Sequence, residues 1–167
     1  MGISFWGCSN NYLPLETVDS VDVNRYLGKW YEVARLPNRF QNDCYCATAE
    51  YTLIDSETIN VRNECREDST SGTIDYVDGK GFIVENSNNT KLRVQFFWPF
   101  RGDYWIIDLD KENYSYAVVG TPSRKYLWIL SRTPKMDIDL LNSLLEKAKS
   151  KKFDTSKILF TQKDCYE

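Results

Sequence analysis

Five cysteines and no histidine frame the chemistry open to this 167-residue chain. Without an imidazole it lacks the commonest general base, the usual serine-hydrolase triad and most zinc sites, so hydrolytic chemistry is not expected. Cys44 and Cys46 stand at alternate positions, Cys65 follows a hairpin, and Cys165 sits at the C-terminal tail. A Cys-x-Cys pair without a second pair at zinc-finger spacing does not make a metal site, and no metal or cofactor is expected. The four cysteines read as two disulfides, which would tie down a fraying tail and imply an oxidising compartment, at a cell envelope or outside the cell. Four cysteines allow three pairings. A turn at Ser56-Glu57 sets residue 65 across from residues 46 to 48, so geometry alone leaves Cys46 to Cys65 open as well.

Cys8 is the odd cysteine. Phe5-Trp6-Gly7-Cys8 loosely resembles the end of a bacterial lipoprotein signal, in which a small residue precedes a cysteine that is lipidated. It reads equally as a leader with a spare thiol. Met1 to Cys8 carries no Lys or Arg and only a short apolar stretch, too little for a complete signal peptide or a membrane span. Residues 1–20 are therefore expected to be a leader or tether, with membrane association through the N-terminus as its partner reading, and residues 21–167 a single domain. A net charge of −3, with Lys and Arg interspersed among Asp and Glu, argues against nucleic acid as a partner.

The elements that must position these groups are mostly strands. Asp22 is placed to cap a short helical turn leading into Gly28 and a first strand, Gly28-Lys29-Trp30-Tyr31-Glu32. Residues 47–54 and 58–66 are β-rich and flank the turn Asp55-Ser56-Glu57. Residues 72–85 give a strand with Gly79 and Gly81 inside it, the mark of a bend or a close backbone approach. Lys91 to Phe96 alternates polar and apolar side chains with the period of a half-buried strand. Residues 104–108, 115–120 and 125–131 supply three more, for an expected total of eight. Short, evenly spaced strands favour an antiparallel barrel or sandwich over a parallel sheet. Arg132, after the last strand, can lay its guanidinium over the Trp30 indole, so the end strands would meet and close a barrel. Asp137 to Lys151 puts Ile138, Leu141, Leu144, Leu145 and Ala148 on one helical stripe, suited to covering the barrel from outside. Ile158-Leu159-Phe160 is expected as a short further strand.

Gly28-x-Trp30-Tyr31-Glu32, the segment around Leu109-Asp110-Lys111, and Arg132-Thr133-Pro134 followed by a helix together resemble the three sequence blocks of the lipocalins. Phe96-Phe97-Trp98-Pro99-Phe100-x-Gly102-x-Tyr104 and Tyr126 to Pro134 are most similar to the bacterial outer-membrane lipocalins and apolipoprotein D. The resemblance covers nearly everything after residue 20. It implies an all-β fold, an eight-stranded up-and-down barrel with a C-terminal helix packed outside, closed near Gly28, Trp30 and Arg132 and open at the other end. By analogy with the apolipoprotein D-like pattern, Cys46 would pair with Cys165, leaving Cys44 with Cys65.

A barrel of about eight strands holds one small ligand when its inward side chains do not fill it. Strand parity counted from Trp30 sends Glu32 and Ala34 inward and Leu36 toward the mouth, with Phe40 on the loop beyond. The same count selects Ala47, Ala49, Val61, Val94, Phe96, Tyr104, Ile106, Tyr126 and Trp128. Small alanines opposite large aromatics would leave a hole suited to an acyl chain or a flat apolar molecule, with Arg or Tyr groups at the mouth for a charged head. The expected function is therefore non-catalytic binding, storage or transport of a fatty acid, lysophospholipid or similar lipid. The alternative is a lipocalin-fold enzyme acting on a bound lipid or isoprenoid, with Cys65 as a pocket thiol if its strand turns it inward. Glu32 is the exception on this wall: a carboxylate among apolar groups needs a partner. Two readings stand, a polar anchor for ligand and a bulge that lets it bond to backbone amides.

Overall fold

The computed structural model describes residues 12–97, 99–162, 164 and 165; Cys8 and its lipidation, and most of the expected leader, lie outside the described residues. Alternating side chains build eight antiparallel strands: β1 Gly28–Arg35, β2 Cys44–Leu53, β3 Thr58–Glu67, β4 Ile74–Ile83, β5 Lys91–Phe97, β6 Phe100–Leu109, β7 Tyr116–Gly120 and β8 Leu127–Ser131. Each pairs with the next, β8 returns to β1, and β1 pairs with β2, so the sheet closes on itself. Closure removes the exposed edges that an open sheet would carry.

A short helix, α1 (Val23–Tyr26), precedes β1, with the Asp22 carboxylate accepting from the Arg25 amide at 3.3 Å. After β8, α2 (Ile138–Ser150) is capped by Asp137, whose side chain accepts from the Asp139 and Leu140 amides. Such a cap satisfies amides that the helix cannot pair internally. Leu141, Leu144 and Ala148 are buried against the outside of the barrel, whereas Ile138 in the first turn is 62% exposed and leaves the expected stripe. A 3₁₀ turn, Thr155–Lys157, then leads to β9 (Leu159–Phe160).

Two apolar layers result. One lies inside the barrel around Trp30, Tyr51, Val61, Ile106 and Val119. The other lies between barrel and helix, around Ala34, Leu36, Ile107, Val118, Ile129 and Leu144. Residues just before α1 pack as well: Leu15 is buried in the outer layer and the Val18 amide donates to the Ile106 carbonyl at 3.0 Å.

Two irregularities shape the open end. Cys46 and Ala47 together oppose one residue of β3, and Cys46 has a φ of 54°. Such a bulge bends the strand. The β1 to β2 pairing stops at Tyr31 and Thr48, and beyond it β9 pairs with Ala34 and Arg35 instead. The Cys46–Cys165 disulfide fastens the C-terminal segment there, and Cys44–Cys65 links β2 to β3. Both bridges are those that the family resemblance implies.

The second bulge lies in β1. Glu32 pairs with Leu130 and Ala34 with Ile129, leaving Val33 as an extra residue. Val33 and Ala34 therefore both face the helix layer, and the parity of every later residue reverses.

Candidate ligand-binding site

The floor is built from the first and last strands. The Arg132 guanidinium lies 3.9 Å from the centre of the Trp30 ring and donates to the backbone carbonyls of Arg25, Tyr26, Lys29 and Tyr114. Trp30 is fully buried, and its indole N–H donates to the Tyr26 carbonyl at 2.9 Å. Gly28 has a φ of 94°, a left-handed conformation that strains any residue with a side chain, and it lies beside the Arg132 guanidinium. A planar, multiply donating cation stacked on an indole is a task that lysine could not perform.

Just above the floor, Tyr26, Tyr51 and Tyr104 converge. Burial keeps all three hydroxyls from ionising: Tyr51 is pushed up to about 12 from an ordinary value of 10.0, and Tyr26 and Tyr104 well above it. Higher up, Val94, Phe96 and Trp128 pack on the inner core yet are only half-buried. The lower barrel is filled and the upper wall is not. Gly79 contributes by absence, since a Cβ there would lie 2.6 Å from the Phe96 ring. The ring lies against bare backbone of β4, the close approach that a glycine inside a strand signals.

At the mouth, the bulge in β1 turns Arg35 into the position that simple alternation gives to its neighbours. Arg35 is paired across the sheet with Trp128, and its Nη1 donates to Glu32 Oε1 at 2.6 Å. Gln41, on the loop from β1 to β2, donates its amide to Glu32 Oε2 at 2.7 Å and accepts from the Trp128 indole at 2.9 Å. Arg35 Nη2 holds the Gln41 and Cys44 carbonyls. A 5%-exposed carboxylate is thereby paired with a guanidinium and an amide, as a buried charge requires. Among the described residues the Glu32 carboxylate bonds to Arg35 and Gln41 and to no backbone amide; the adjacent bulge serves it by delivering Arg35. This loop also walls a cleft of about 320 Å³ lined by Arg35, Asn38, Tyr45 and Phe160.

Of the wall residues expected from parity, Glu32, Ala49, Val61, Val94, Phe96, Tyr104, Ile106 and Trp128 face the interior. Ala47 is buried on the β2 bulge, and Tyr126 stacks on Trp128 with ring centres 6.0 Å apart. Phe40 is 68% exposed at the mouth, 5.8 Å from the Tyr126 ring. Ala34 and Leu36 are corrections. Both sit in the outer layer beneath α2, because the bulge at Val33 reverses their parity. Sequence reading also missed Arg35, Gln41 and Tyr51. Extending the alternation from Ala49 by one step finds Tyr51, whereas Arg35 and Gln41 carry no signal within their own segment. Cys65 shares a strand face with Val61, but its sulfur is bonded to Cys44.

A closed antiparallel barrel with a tryptophan and arginine floor, a half-filled interior and one outer helix is a specific arrangement, and a family model described as "Lipocalin-like domain" matches residues 21–163. The chain is a lipocalin. The lipocalins are a family that binds small hydrophobic ligands. Among curated proteins, this lipocalin is 39% identical over 156 residues to the outer membrane lipoprotein Blc of Vibrio cholerae, covering 93% of this chain and 91% of that protein. It is 31% identical over 159 residues to apolipoprotein D of Macaca fascicularis, covering 89% of this chain and 81% of that protein. Among solved structures, insecticyanin from the tobacco hornworm superposes with a TM-score of 0.70 at 22% identity, over 90% of this chain and 85% of that one. That last likeness is one of fold.

Proposed function

We propose that this lipocalin carries an amphiphilic lipid, a fatty acid or lysophospholipid, with its acyl chain in the upper barrel and its head at the mouth. The observation that supports this most is the gradient along the inner wall. Trp30, Tyr51 and Leu92 are buried at the floor ends of their strands, while Val94, Phe96 and Trp128, nearer the mouth, keep accessible surface. Apolar surface left open inside a barrel is surface that a chain can cover, at about 0.8 kcal/mol per buried methylene. Around ten such groups offset the cost of immobilising a flexible ligand. Exposed Phe40, with the Arg39 guanidinium 5.3 Å from its ring centre, offers an apolar collar and a cation for a carboxylate or phosphate.

Two disulfides suit an oxidising setting, and the relatives named outer membrane lipoproteins suit an envelope or secreted location. A lipid tether through Cys8, with the residues between it and the packed Leu15 as its linker, is the corresponding proposal; an acylated Cys8 peptide in the mass spectrum of protein from its native host would support it, and an unmodified one would dismiss it. Non-catalytic binding fits a pocket in which Cys65 has no free thiol.

The test of the carrier reading is titration with a fluorescent fatty acid and its displacement by palmitate. Saturable one-to-one binding is expected, weakened about tenfold by Trp128→Ala, which removes a wall of the upper barrel. Linear, unsaturable uptake would refute the reading, and unchanged affinity in the variant would refute the placement of the chain.

A further inference from the structure

The hydroxyls of Tyr26, Tyr51 and Tyr104 meet where the packed floor gives way to the accessible upper wall. Tyr104 Oη lies 2.8 Å from Tyr26 Oη and 2.8 Å from Tyr51 Oη. Each phenol brings one proton and can also accept. Three protons shared over these two contacts leave one donor without an acceptor among the described residues. Tyr26 and Tyr51 are 3% and 4% exposed, whereas Tyr104 packs on the inner core yet keeps accessible surface. When the two deeper phenols donate to Tyr104, its own proton is left for a third acceptor. The charges nearby are already engaged: Arg132 is bonded to carbonyls beneath Trp30, and Glu32 and Arg35 hold each other at the mouth.

We infer that Tyr104 is a neutral hydrogen-bond donor for an uncharged oxygen at the buried end of the ligand, so the barrel accepts acyl chains ending in a hydroxyl or carbonyl that a purely apolar pocket would reject. The inference rests on the carrier reading above and narrows its ligand class. An ionised terminus does not fit, because one neutral donor cannot replace the hydration of a carboxylate. A hydroxyl or ketone does, since it needs one bond and finds one.

The experiment is displacement of a fluorescent fatty acid by matched pairs: plain fatty acids of 12 to 18 carbons, the same acids with a terminal hydroxyl, and the same acids hydroxylated at mid-chain. In the parent protein, one terminal hydroxy acid of the series is expected to bind at least as tightly as its plain counterpart. Mid-chain hydroxylation, which sets the oxygen against apolar wall, should weaken binding by about tenfold. In Tyr104→Phe the terminal hydroxy acid should fall about tenfold relative to its plain acid. The ratio of two ligands on one protein is insensitive to any loss of stability. Tyr51→Phe, which keeps the Tyr104 hydroxyl, should preserve the parent ratio. If every terminal hydroxy acid binds as poorly as its mid-chain isomer, or if Tyr104→Phe leaves the ratio where it was, the donor role is overturned while the carrier reading stands. If the plain acids fail to displace the probe, both are overturned.

Discussion

Replacing Arg35 by methionine keeps most of the side-chain volume and removes the guanidinium that neutralises Glu32. In the parent the pair is 2.6 Å apart, with side chains 14% and 5% exposed, so water screens it little. Deleting one member of a buried pair typically costs about 3–5 kcal/mol, most of it the penalty of an uncompensated charge. Glu32 keeps the Gln41 amide at 2.7 Å, which puts the expected loss at the lower end, about 3 kcal/mol. The Gln41 and Cys44 carbonyls lose their donor as well, so the β1 to β2 loop should loosen over the mouth. The double variant Glu32→Leu with Arg35→Met removes both charges and should return to within about 1 kcal/mol of the parent. The assay is equilibrium urea unfolding with disulfides intact, followed by tryptophan fluorescence at neutral pH. A single variant within about 0.5 kcal/mol of the parent, the level of an exposed pair, would refute the reasoning. So would a double variant as damaged as the single one.

Gly79→Ala places a methyl 2.6 Å from the Phe96 ring and 2.7 Å from the Gln95 carbonyl, so thermal unfolding should show a loss of about 1–3 kcal/mol. Adding Phe96→Ala should not restore it, because the carbonyl belongs to the backbone. The two disulfides close loops of very different size, with separations of 119 residues for Cys46–Cys165 and 21 for Cys44–Cys65. On the chain-entropy account their removal costs about 5 and 3 kcal/mol respectively, so paired Cys→Ala variants compared in denaturant should rank in that order. The tyrosine trio holds its protons above the ordinary phenol range, with Tyr51 at about 12. The unfolded chain releases these protons near pH 10, so the stability they confer is intact below that point and lost as pH rises through the folded values. Ultraviolet titration of the 11 tyrosines should accordingly show three that ionise only above the rest, or together with unfolding.

Much of the molecule was legible in one dimension because its signals are local. Alternation in Lys91 to Phe96 marked both the strand and its inward face, since successive side chains on a strand must point to opposite sides. Trp30 and Arg132 announced closure because an indole and a guanidinium stack wherever the chain ends bring them together. Glycine inside a strand at position 79 announced a close approach, and a ring lies against it. The family pattern supplied the pairing of four cysteines.

Tertiary structure decided the polar parts. A bulge is a count of two residues against one across a pair of strands, so the reversal at Val33 cannot be read in β1 alone; it depends on where β8 registers. That register moved Ala34 and Leu36 beneath the helix and brought Arg35 inside to Glu32. Gln41 reaches the same carboxylate from a loop with no periodicity to reveal it. The tyrosine cluster joins residues 26, 51 and 104 from three separate elements, and only closure of the barrel sets their hydroxyls within hydrogen-bonding distance. The sequence alone marked the strands, because sheet periodicity is written residue by residue, and its Trp30 and Arg132 pair and family blocks implied that they close into a barrel. Where charge and hydrogen bonding enter that barrel was settled between strands, where register and burial fix which polar groups can satisfy one another.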